Sequence, residues 1–500
     1  MIFVSGLSRR RRYLVLAICC LSLFIVGLDA TIVNVALPSI GRELHSPVSG
    51  LQWTIDAYSL VLASLLMLSG STADRVGRRR TFQVGLALFT LGSLLCSVAP
   101  GLGWLVAFRV LQAVGGSMLN PVAMSIITNT FTEPAERARA IGVWGGVFGL
   151  SMAMGPVLGG ALVDAVGWRG VFWVNVPVGI AALVLTALFV PESKAPRPRR
   201  LDPVGQLLVI AGLASLTYAV IEGPAYGWGS GRILSFLAVA VIALGIFLGY
   251  EPRRREPLVD LRFFRSLPFS GATLTAVSAM GALGGFLFLN TLYLQEVRGY
   301  RPLIAGLFLL PMAAAMAVGA PLAGRIVARR GTRIPLLVAG TGLTAAGVLL
   351  TAVTASTSVG YLIVSYLVFG IGMGMVNAPI TNSAVSGMPR EQAGVAAGIA
   401  SASRQVGLVL GVAVMGSVLT ANLHGPLSSG FAAATRPGWW IVAGCGFAVI
   451  VLALITTGQR GKASAAQAAS LVATGEEAQE KVPDPFAVSL ENQDVAGITL

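Results

Sequence analysis

The sequence predicts an all-α protein that crosses a membrane many times. Hydrophobic residues make up 55% of the 500 residues and charged residues only 11%, whereas soluble domains carry about 25% charged residues. Fourteen apolar stretches are long enough to cross a hydrocarbon core of roughly 30 Å as helices. Short polar segments, many of them rich in Lys and Arg, separate these stretches. The predicted fold class is therefore an all-α polytopic membrane protein with fourteen spans.

The predicted spans follow one another along most of the chain. The first stretch comes directly after Arg9–Arg12 and could be mistaken for a signal peptide. It is too long for a cleaved signal and contains Asp29, so we expect a retained helix. The fourteen spans are residues 13–37, 51–71, 81–99, 104–128, 141–163, 171–190, 204–221, 233–250, 269–294, 303–323, 335–355, 361–385, 395–420 and 439–457.

The distribution of Lys and Arg predicts the orientation. The chain has 35 Lys and Arg against 21 Asp and Glu. If the N-terminus is cytoplasmic, the inner loops and tail carry 27 of the basic residues and the outer loops carry 6. This bias follows the positive-inside rule. It predicts a multi-pass protein of the cytoplasmic membrane with both termini cytoplasmic, and it explains the net charge without a nucleic-acid partner.

Three motifs recur in the same order in the two halves of the chain, which is typical of transporters. Spans 1–6 therefore match spans 9–14, and spans 7 and 8 are an insert. The matched motifs are Gly70–Arg80 with Gly324–Gly331, Asn120-Pro121 with Asn377–Pro379, and Ser151, Gly155 and Gly159 with Gly407 and Gly411.

This repeat predicts a division into five regions. They are a cytoplasmic N-terminus (1–12), an N-terminal six-helix bundle (13–190), a linker with the inserted spans (191–268), a C-terminal six-helix bundle (269–458) and a tail (459–500). Ala, Ser and Glu dominate the tail, and such a composition buries little apolar area. We expect it to be disordered and cytoplasmic.

The residue types exclude several kinds of chemistry. Two histidines lie in separate loops, and Cys19, Cys20, Cys96 and Cys445 all lie in apolar segments without metal-ligand spacing. A Gly-Lys-Ser/Thr nucleotide-binding loop does not occur in the sequence. We therefore expect no enzyme activity, no metal, no cofactor and no direct use of ATP.

Ionisable residues inside spans are costly and are functional candidates by default. Asp29, Asp56 and Arg109 fall within about one helical turn of the same depth, counted at about 1.5 Å per residue. Desolvation disfavours a charged carboxylate and a nearby Arg favours it, so this set can couple proton binding to a rearrangement. The alternative is a permanent structural salt bridge. Arg404 is mid-span in the other half without a visible acidic partner.

Two further motifs have both a functional and a purely structural interpretation. The loop after span 2 is a candidate gate; the alternative is a basic loop that only fixes the topology. The candidate gate residues are Gly70, Asp74, Arg75, Gly77 and Arg78. Small residues four apart on span 5 permit close helix packing, and a proline bends the helix there. These residues are Gly155, Pro156, Gly159 and Gly160.

Candidates for a substrate cavity are polar or aromatic side chains within the spans, because drug-binding cavities are apolar with a few polar groups. Each of them could equally serve helix packing. They are Asn34, Tyr58, Gln112, Asn120, Asn290, Asn377, Asn382, Arg404, Gln405, Phe286 and Phe288.

These motifs together resemble the major facilitator superfamily, and specifically its fourteen-span drug:proton antiporter branch. Gly70–Arg80 resembles the loop signature G-x-L-a-D-r-x-G-r-k, with Thr72 in place of Leu. Leu105–Ser117 resembles the span-4 signature with Ala113 in place of Gly, and Gly155–Gly160 resembles the antiporter signature, with Ser151 in place of its usual first Gly. Leu28–Pro38, Trp168–Pro177 and Arg404-Gln405 are similar to the same branch.

The resemblance implies two six-helix bundles with an inserted pair of helices, and alternating access between them. It assigns the Gly70–Arg80 loop to gating and the Gly155–Gly160 motif to antiport without leakage. The function that we expect is proton-coupled (antiport) efflux of lipophilic, drug- or antibiotic-like small molecules. Export of a dedicated endogenous metabolite or antibiotic is the alternative. Expected partners are the substrate, protons and the lipid bilayer, with a monomer as the working unit.

Overall fold

The computed structural model describes residues 8–195, 201–254, 257–386, 388 and 392–480, and in these ranges the chain is helical without any β-strand. The all-α prediction is confirmed. The N-terminal helices are α1 (Arg9–Glu43), α2 (Val48–Val76), α3 (Arg78–Ser97), α4 (Leu102–Thr130), α5 (Pro134–Val166) and α6 (Gly170–Phe189). The inserted pair consists of α7 (Pro203–Tyr226) and α8 (Gly231–Tyr250). The C-terminal helices are α9 (Leu267–Val297), α10 (Pro302–Arg330), α11 (Arg333–Leu350), α12 (Val359–Val385), α13 (Ala393–Asn422) and α14 (Leu427–Thr456).

Among the described residues, thirteen helices are long and apolar enough to cross a membrane. Helix α3 falls outside this set because it begins with three arginines, Arg78 to Arg80, which lower the hydropathy of its 20 residues. It nevertheless packs along α4 and α6 like its spanning neighbours. The multi-pass architecture is confirmed, and the count of fourteen spans stays a prediction.

Corresponding helices make corresponding contacts in the two halves. Helix α1 packs along α5 as α9 packs along α13, and α2 packs on α4 as α10 packs on α12. Helices α7 and α8 pack on each other, and α7 also contacts α2 and α13, one from each half. The boundaries of the five regions stay predictions, since residues 1–7, 196–200 and 481–500 lie outside the described ranges.

Small residues let the paired helices approach closely in both halves. A Cβ atom on Gly155 would lie 3.0 Å from Cβ of Thr31, so α5 and α1 are in backbone proximity there. A Cβ on Gly407 would lie 2.6 Å from the carbonyl oxygen of Val277 on α9. The repeated small residues of the sequence therefore have the same packing role in α5 and α13.

Among the described residues, the contact between α5 of one half and α10 of the other differs between the two ends of the molecule. We call the end that carries Arg9–Arg12 and Arg78–Arg80 the basic end, and the other one the opposite end. At the opposite end, a Cβ on Gly160 would lie 2.6 Å from Cα of Leu303 on α10. Gly142 and Gly149 lie on the same face of α5, since steps of three and four residues return to one face, and a Cβ on either would meet nothing within 4 Å. The seam between α5 and α10 thus closes at the opposite end and opens toward the basic end.

The chain does not become disordered at residue 459. A fifteenth helix, α15 (Gln459–Glu480), follows α14 and contacts the 3₁₀ turn Leu261–Arg265 and the start of α9. The prediction of a disordered tail is wrong over these residues, because alanine favours helix formation and Ala465 and Ala468 are buried in this contact. The rest of the predicted tail, 481–500, lies outside the described residues.

Candidate functional site

A buried ion pair joins α1 to α4 in the N-terminal half. Arg109 Nη1 donates to Asp29 Oδ2 at 2.6 Å, and the two side chains are 2% and 0% exposed. Counting residues from the helix ends predicts that these two residues lie at one depth in the membrane, and the structure brings them into contact. A buried pair persists only if its remaining donors and acceptors are also satisfied.

Polar side chains from three helices satisfy this pair. Gln112 accepts from Arg109 Nη1 at 2.7 Å and donates to Asp29 Oδ1 at 2.9 Å. Asn175 on α6 donates to the same Asp29 oxygen at 3.2 Å. Ser93 on α3 accepts from Gln112 at 2.7 Å. The network therefore ties α1, α3, α4 and α6 together through hydrogen bonds in the buried interior of this half.

Helix α2 supplies two further contacts of the guanidinium. Arg109 Nε donates to the Thr54 carbonyl oxygen at 3.1 Å, and its Cζ lies 4.1 Å from the centroid of the Tyr58 ring. A guanidinium over an aromatic face is attracted by the quadrupole of the ring. Tyr58 and Gln112, which the sequence suggested as cavity residues, thus lie within the buried network.

Asp56 does not join this network. Its side chain is fully buried, and neither carboxylate oxygen has a hydrogen-bond partner. The predicted set of two acids and one arginine is therefore split into the hydrogen-bonded pair Asp29–Arg109 and a separate acid, Asp56. A buried carboxylate without donors is costly, so the environment of Asp56 favours the neutral form.

Gln52 shows which way Asp56 faces. The two residues are four apart on α2 and lie on the same helix face. Gln52 Nε2 donates to the carbonyl oxygens of Val412 at 3.2 Å and Ala413 at 2.8 Å, both on α13 in the other half. Asp56 therefore lies on the face of α2 that meets the C-terminal half, whereas Asp29 and Arg109 lie within the N-terminal half.

The predicted gate loop forms a tight turn between α2 and α3. Gly77 has φ of +129°, a conformation that favours glycine. Arg78 Nη2 at the start of α3 pairs with Asp74 Oδ1 near the end of α2 at 2.8 Å. Gly70, by contrast, lies within α2, where a Cβ would be in ordinary contact with Pro121, and the side chain of Arg75 is exposed.

Glu192, which the sequence analysis missed, holds this turn from the segment after α6. Its two carboxylate oxygens accept from the backbone N–H groups of Arg79 at 3.1 Å and Arg80 at 3.3 Å. A carboxylate is favourable at the positive N-terminal end of a helix, here α3. The contact spans 113 residues, so no local sequence signal indicates it. It makes the gate loop part of a three-segment junction.

Ion pairs close the opposite end between the halves. Arg42 at the end of α1 pairs with Glu296 of α9 at 2.5 Å. Asp164 of α5 accepts from the backbone N–H of Leu303 at 3.3 Å and lies 3.6 Å from Arg301. These contacts flank the close approach of α5 and α10, where Gly155, Pro156, Gly159 and Gly160 are all buried. The antiporter-like motif thus forms both the α1–α5 contact and the seal between halves.

We predict that Gly160→Val opens this seal. The added side chain would collide with the backbone of Pro302 and Leu303, and such overpacking costs about 1–3 kcal/mol. The expected result is a faster decay of an imposed pH gradient in proteoliposomes. Gly142→Val on the same face of α5 is the matched control, since a Cβ there meets nothing within 4 Å. Equal leak rates for both variants would contradict a sealing role of Gly160.

The remaining cavity candidates are scattered. Asn34 and Asn290 are buried, Asn34 donating to the Ala30 carbonyl oxygen at 3.3 Å and Asn290 accepting from the Tyr366 hydroxyl. Arg404 Nη2 donates to the Thr381 hydroxyl at 2.6 Å. The structure does not join these candidates into one cluster: Asn120 and Gln405 are half-buried, Asn377 and Asn382 are exposed, and Phe286 and Phe288 are in the core. Their role as substrate contacts stays a prediction.

Besides Glu192, the functional candidates that the sequence analysis missed are polar residues inside apolar helices. Ser93, Asn175 and Gln52 are all buried and all bridge helices. A signal was present, because each interrupts an apolar stretch, but a single polar residue does not reveal its partner. Within the described part of the chain, no cluster of three or more His, Cys, Asp or Glu residues could hold a metal ion.

Comparisons with known proteins cover most of the chain. The model of the Major Facilitator Superfamily matches residues 19–412. The multidrug resistance protein Stp of Mycobacterium tuberculosis is 41% identical over 84% of this chain and 78% of its own length. The tetracenomycin C resistance and export protein of Streptomyces glaucescens is 39% identical over 87% of this chain and 80% of its own. The crystal structure of the peptide transporter POT in complex with sulfate superimposes with a TM-score of 0.64 at 13% identity, covering 88% of this chain and 93% of that one.

Proposed function

The chain belongs to the major facilitator superfamily, and we propose that within it the protein exports lipophilic, drug- or antibiotic-like molecules in exchange for protons. It is a membrane transporter and not an enzyme. Relatives named for multidrug resistance and for antibiotic export support the class of substrate. The bilayer supplies such substrates, because lipophilic molecules accumulate in it.

The observation that carries proton exchange is the state of Asp56. Its carboxyl group is fully buried, has no hydrogen-bond donor, and lies on the face of α2 that meets the other half. The neutral form is favoured while this boundary is closed, since a bare charge is costly without water or a partner. When the halves rearrange and the opposite end opens, the same group can take up a proton from outside, and exchange for a substrate requires that this proton is released toward the basic end.

Asp29 and Arg109 have a supporting role in this proposal. Asp29 holds the guanidinium of Arg109 beside Thr54 on α2, and this group stays positive because a guanidinium does not deprotonate in proteins. A rearrangement that brings Asp56 closer to this charge would favour the ionised acid and so promote release. The proton is thus carried by one acid, while the other acid holds the arginine in place.

The contact between the halves supports alternating access in this proposal. In the structure it is closed at the opposite end by α5 and α10 and open toward the basic end. Under the positive-inside rule the basic end is cytoplasmic, so this is the state that would accept a substrate from the cell. The turn at Gly70–Arg78, held by Glu192, is proposed to control how fast the two states interconvert.

The proposal includes the setting in which the transporter works. We place it in the cytoplasmic membrane with both termini inside the cell, acting as a monomer without a cofactor. The proton gradient supplies the energy. Asn34, Asn120, Asn290, Asn377, Arg404 and Gln405 remain the proposed polar contacts of the substrate.

A dedicated exporter is the second candidate function. It is favoured by the relative named for tetracenomycin C resistance and export, which is a protein named for a single antibiotic. The two candidates differ only in breadth of substrate, because both use the same fold and the same acid. A chemically varied panel of substrates distinguishes them.

Efflux from cells tests the proposed function. Cells that express the protein are loaded with ethidium and with a panel of lipophilic antibiotics, and export is followed with and without a proton uncoupler. We expect export of several panel members and its loss on uncoupling; export of a single member would select the dedicated exporter. Export of panel members that continues unchanged after uncoupling would contradict proton exchange.

A further inference from the structure

Two carboxyl groups are buried where the inserted helix pair starts and ends. Asp202 is the N-cap of α7 and is 4% exposed. Glu251 follows the last residue of α8, in the 3₁₀ turn Glu251–Arg253, and is 1% exposed. Both lie at the basic end of the molecule, on helices other than those that hold Asp29, Asp56 and Arg109.

One oxygen of each carboxyl group points at the same space. A Cβ atom added to Gly205 would lie 2.5 Å from Glu251 Oε1 and 2.8 Å from Asp202 Oδ2. Neither of these two oxygens has a hydrogen-bond partner. Two ionised carboxylates in this arrangement would combine like-charge repulsion with the cost of burying unpaired charge.

The other oxygen of each group is occupied. Asp202 Oδ1 accepts from the backbone N–H of Gly205 at 3.0 Å and from the Tyr250 hydroxyl at 3.2 Å. Glu251 Oε2 accepts from the backbone N–H of Val259 at 3.4 Å. The neighbouring cation is Arg254, which lies over the Tyr250 ring, 5.4 Å from its centroid. The backbone N–H of Leu258 also interacts with the Glu251 carboxylate, but the two free oxygens have no hydrogen-bond partner among the described groups.

We propose that Asp202 and Glu251 bind one proton between them and form a carboxyl–carboxylate pair. The protonated group then supplies the missing O–H donor, and the ionised partner accepts it. Such charge-assisted O–H···O⁻ bonds are short and strong. The proton comes from water at the basic end, and no other reactant is needed.

The pair links three segments of the chain. It joins the start of α7 to the end of α8, and through Val259 it reaches the loop before α9. Asp260, the next residue, caps the 3₁₀ turn Leu261–Arg265 that leads into α9. Loss of the shared proton would leave two like charges facing each other and loosen this junction between the inserted pair and the C-terminal half.

The pKa of Glu251 indicates that the shared proton is lost near neutral pH. Burial raises the pKa of Glu251 from 4.5 to about 7, and the charge of Asp202 adds to the effect. A carboxyl group whose pKa is higher in the folded than in the unfolded state stabilises the fold. This stabilisation is complete at a pH below the pKa of the unfolded state and is lost as the pH rises through the pKa of the folded state. The junction is therefore expected to weaken as the pH rises from 4.5 to about 7.

Infrared difference spectroscopy of the full-length protein in lipid nanodiscs tests the pair. The band of protonated carboxyl groups is followed from about pH 5 to about pH 9, a range that spans the pKa of a buried pair. In an Asp56→Asn background, which removes the other buried acid without a partner, we expect a band that disappears near neutral pH and that is absent after Glu251→Gln or Asp202→Asn. The control is Asp260→Asn, since Asp260 is paired with Arg262 at 2.7 Å and should leave the band unchanged.

Further outcomes decide the assignment. A titrating band that persists in both variants would overturn the shared proton. Loss of the band on adding Na⁺ or K⁺ at constant pH would also overturn it, since a metal cation would then occupy the space.

The melting temperature is a second measurement on the same samples. It should fall with rising pH in the wild type and change less in Glu251→Gln. If that variant does not fold, Asp202→Asn alone provides both measurements.

Discussion

Asp56→Asn is expected to abolish proton-coupled export while leaving the protein folded. Both oxygens of Asp56 lack a partner and the side chain is fully buried. The amide has nearly the same shape, so no hydrogen bond and no packing contact is lost. It cannot ionise at any step of the cycle, however, and so the exchanged proton has no carrier.

The measurement is substrate-induced proton release from proteoliposomes that contain the purified protein and a pH-sensitive dye. For Asp56→Asn we expect release at the level of protein-free liposomes, with a melting temperature equal to or above that of the wild type. Asp74→Asn is the matched control on the same helix, because Asp74 is paired with Arg78 at the end of α2. It is expected to slow turnover and to keep the number of protons released per substrate. Wild-type release in Asp56→Asn would remove this acid from the mechanism.

Asp29→Asn is expected to cause the largest loss of stability. Its carboxylate is 0% exposed and accepts from Arg109, Gln112 and Asn175. Removing one partner of a buried ion pair leaves an uncompensated charge and costs about 3–5 kcal/mol. Transport should fall with it, because Arg109 loses its fixed position beside α2.

Thermal unfolding of the purified variant measures this loss, and a double variant tests its cause. Asp29→Asn/Arg109→Gln removes both charges, so we expect it to recover part of the melting temperature lost in Asp29→Asn. Arg42→Gln is the control, because Arg42 is 58% exposed and its partner Glu296 is only half-buried, and pairs at the surface contribute at most about 1 kcal/mol. If the double variant were no more stable than Asp29→Asn, the unpaired charge would not be the cause.

Much of the fold could be predicted from the sequence because a bilayer leaves few choices. The length of each apolar stretch fixed the helices, and the small residues of α5 and α13 indicated their close contacts. The tail is where the prediction failed: composition indicated no buried core, yet Ala465 and Ala468 pack in a helix on the segment before α9. A contact made with a distant segment is not visible in the composition of the tail itself.

The candidate site was predictable only in part, for the same reason. Counting residues from the helix ends placed Asp29 and Arg109 at one depth, and they are in contact. The same count included Asp56, but depth says nothing about which face of a helix a residue occupies. The positions of Gln52 and Glu192 depend on partners 361 and 113 residues away, so they follow from the packing of the halves and not from any local pattern.

The most direct test of the central claim uses liposomes that contain only this protein and a trapped lipophilic substrate. Transport is measured with a pH gradient, and again after ionophores have collapsed both the pH gradient and the membrane potential. We expect the substrate to move against its concentration gradient in the first case and only to equilibrate in the second. Continued uphill movement without either gradient would contradict proton exchange as the source of energy.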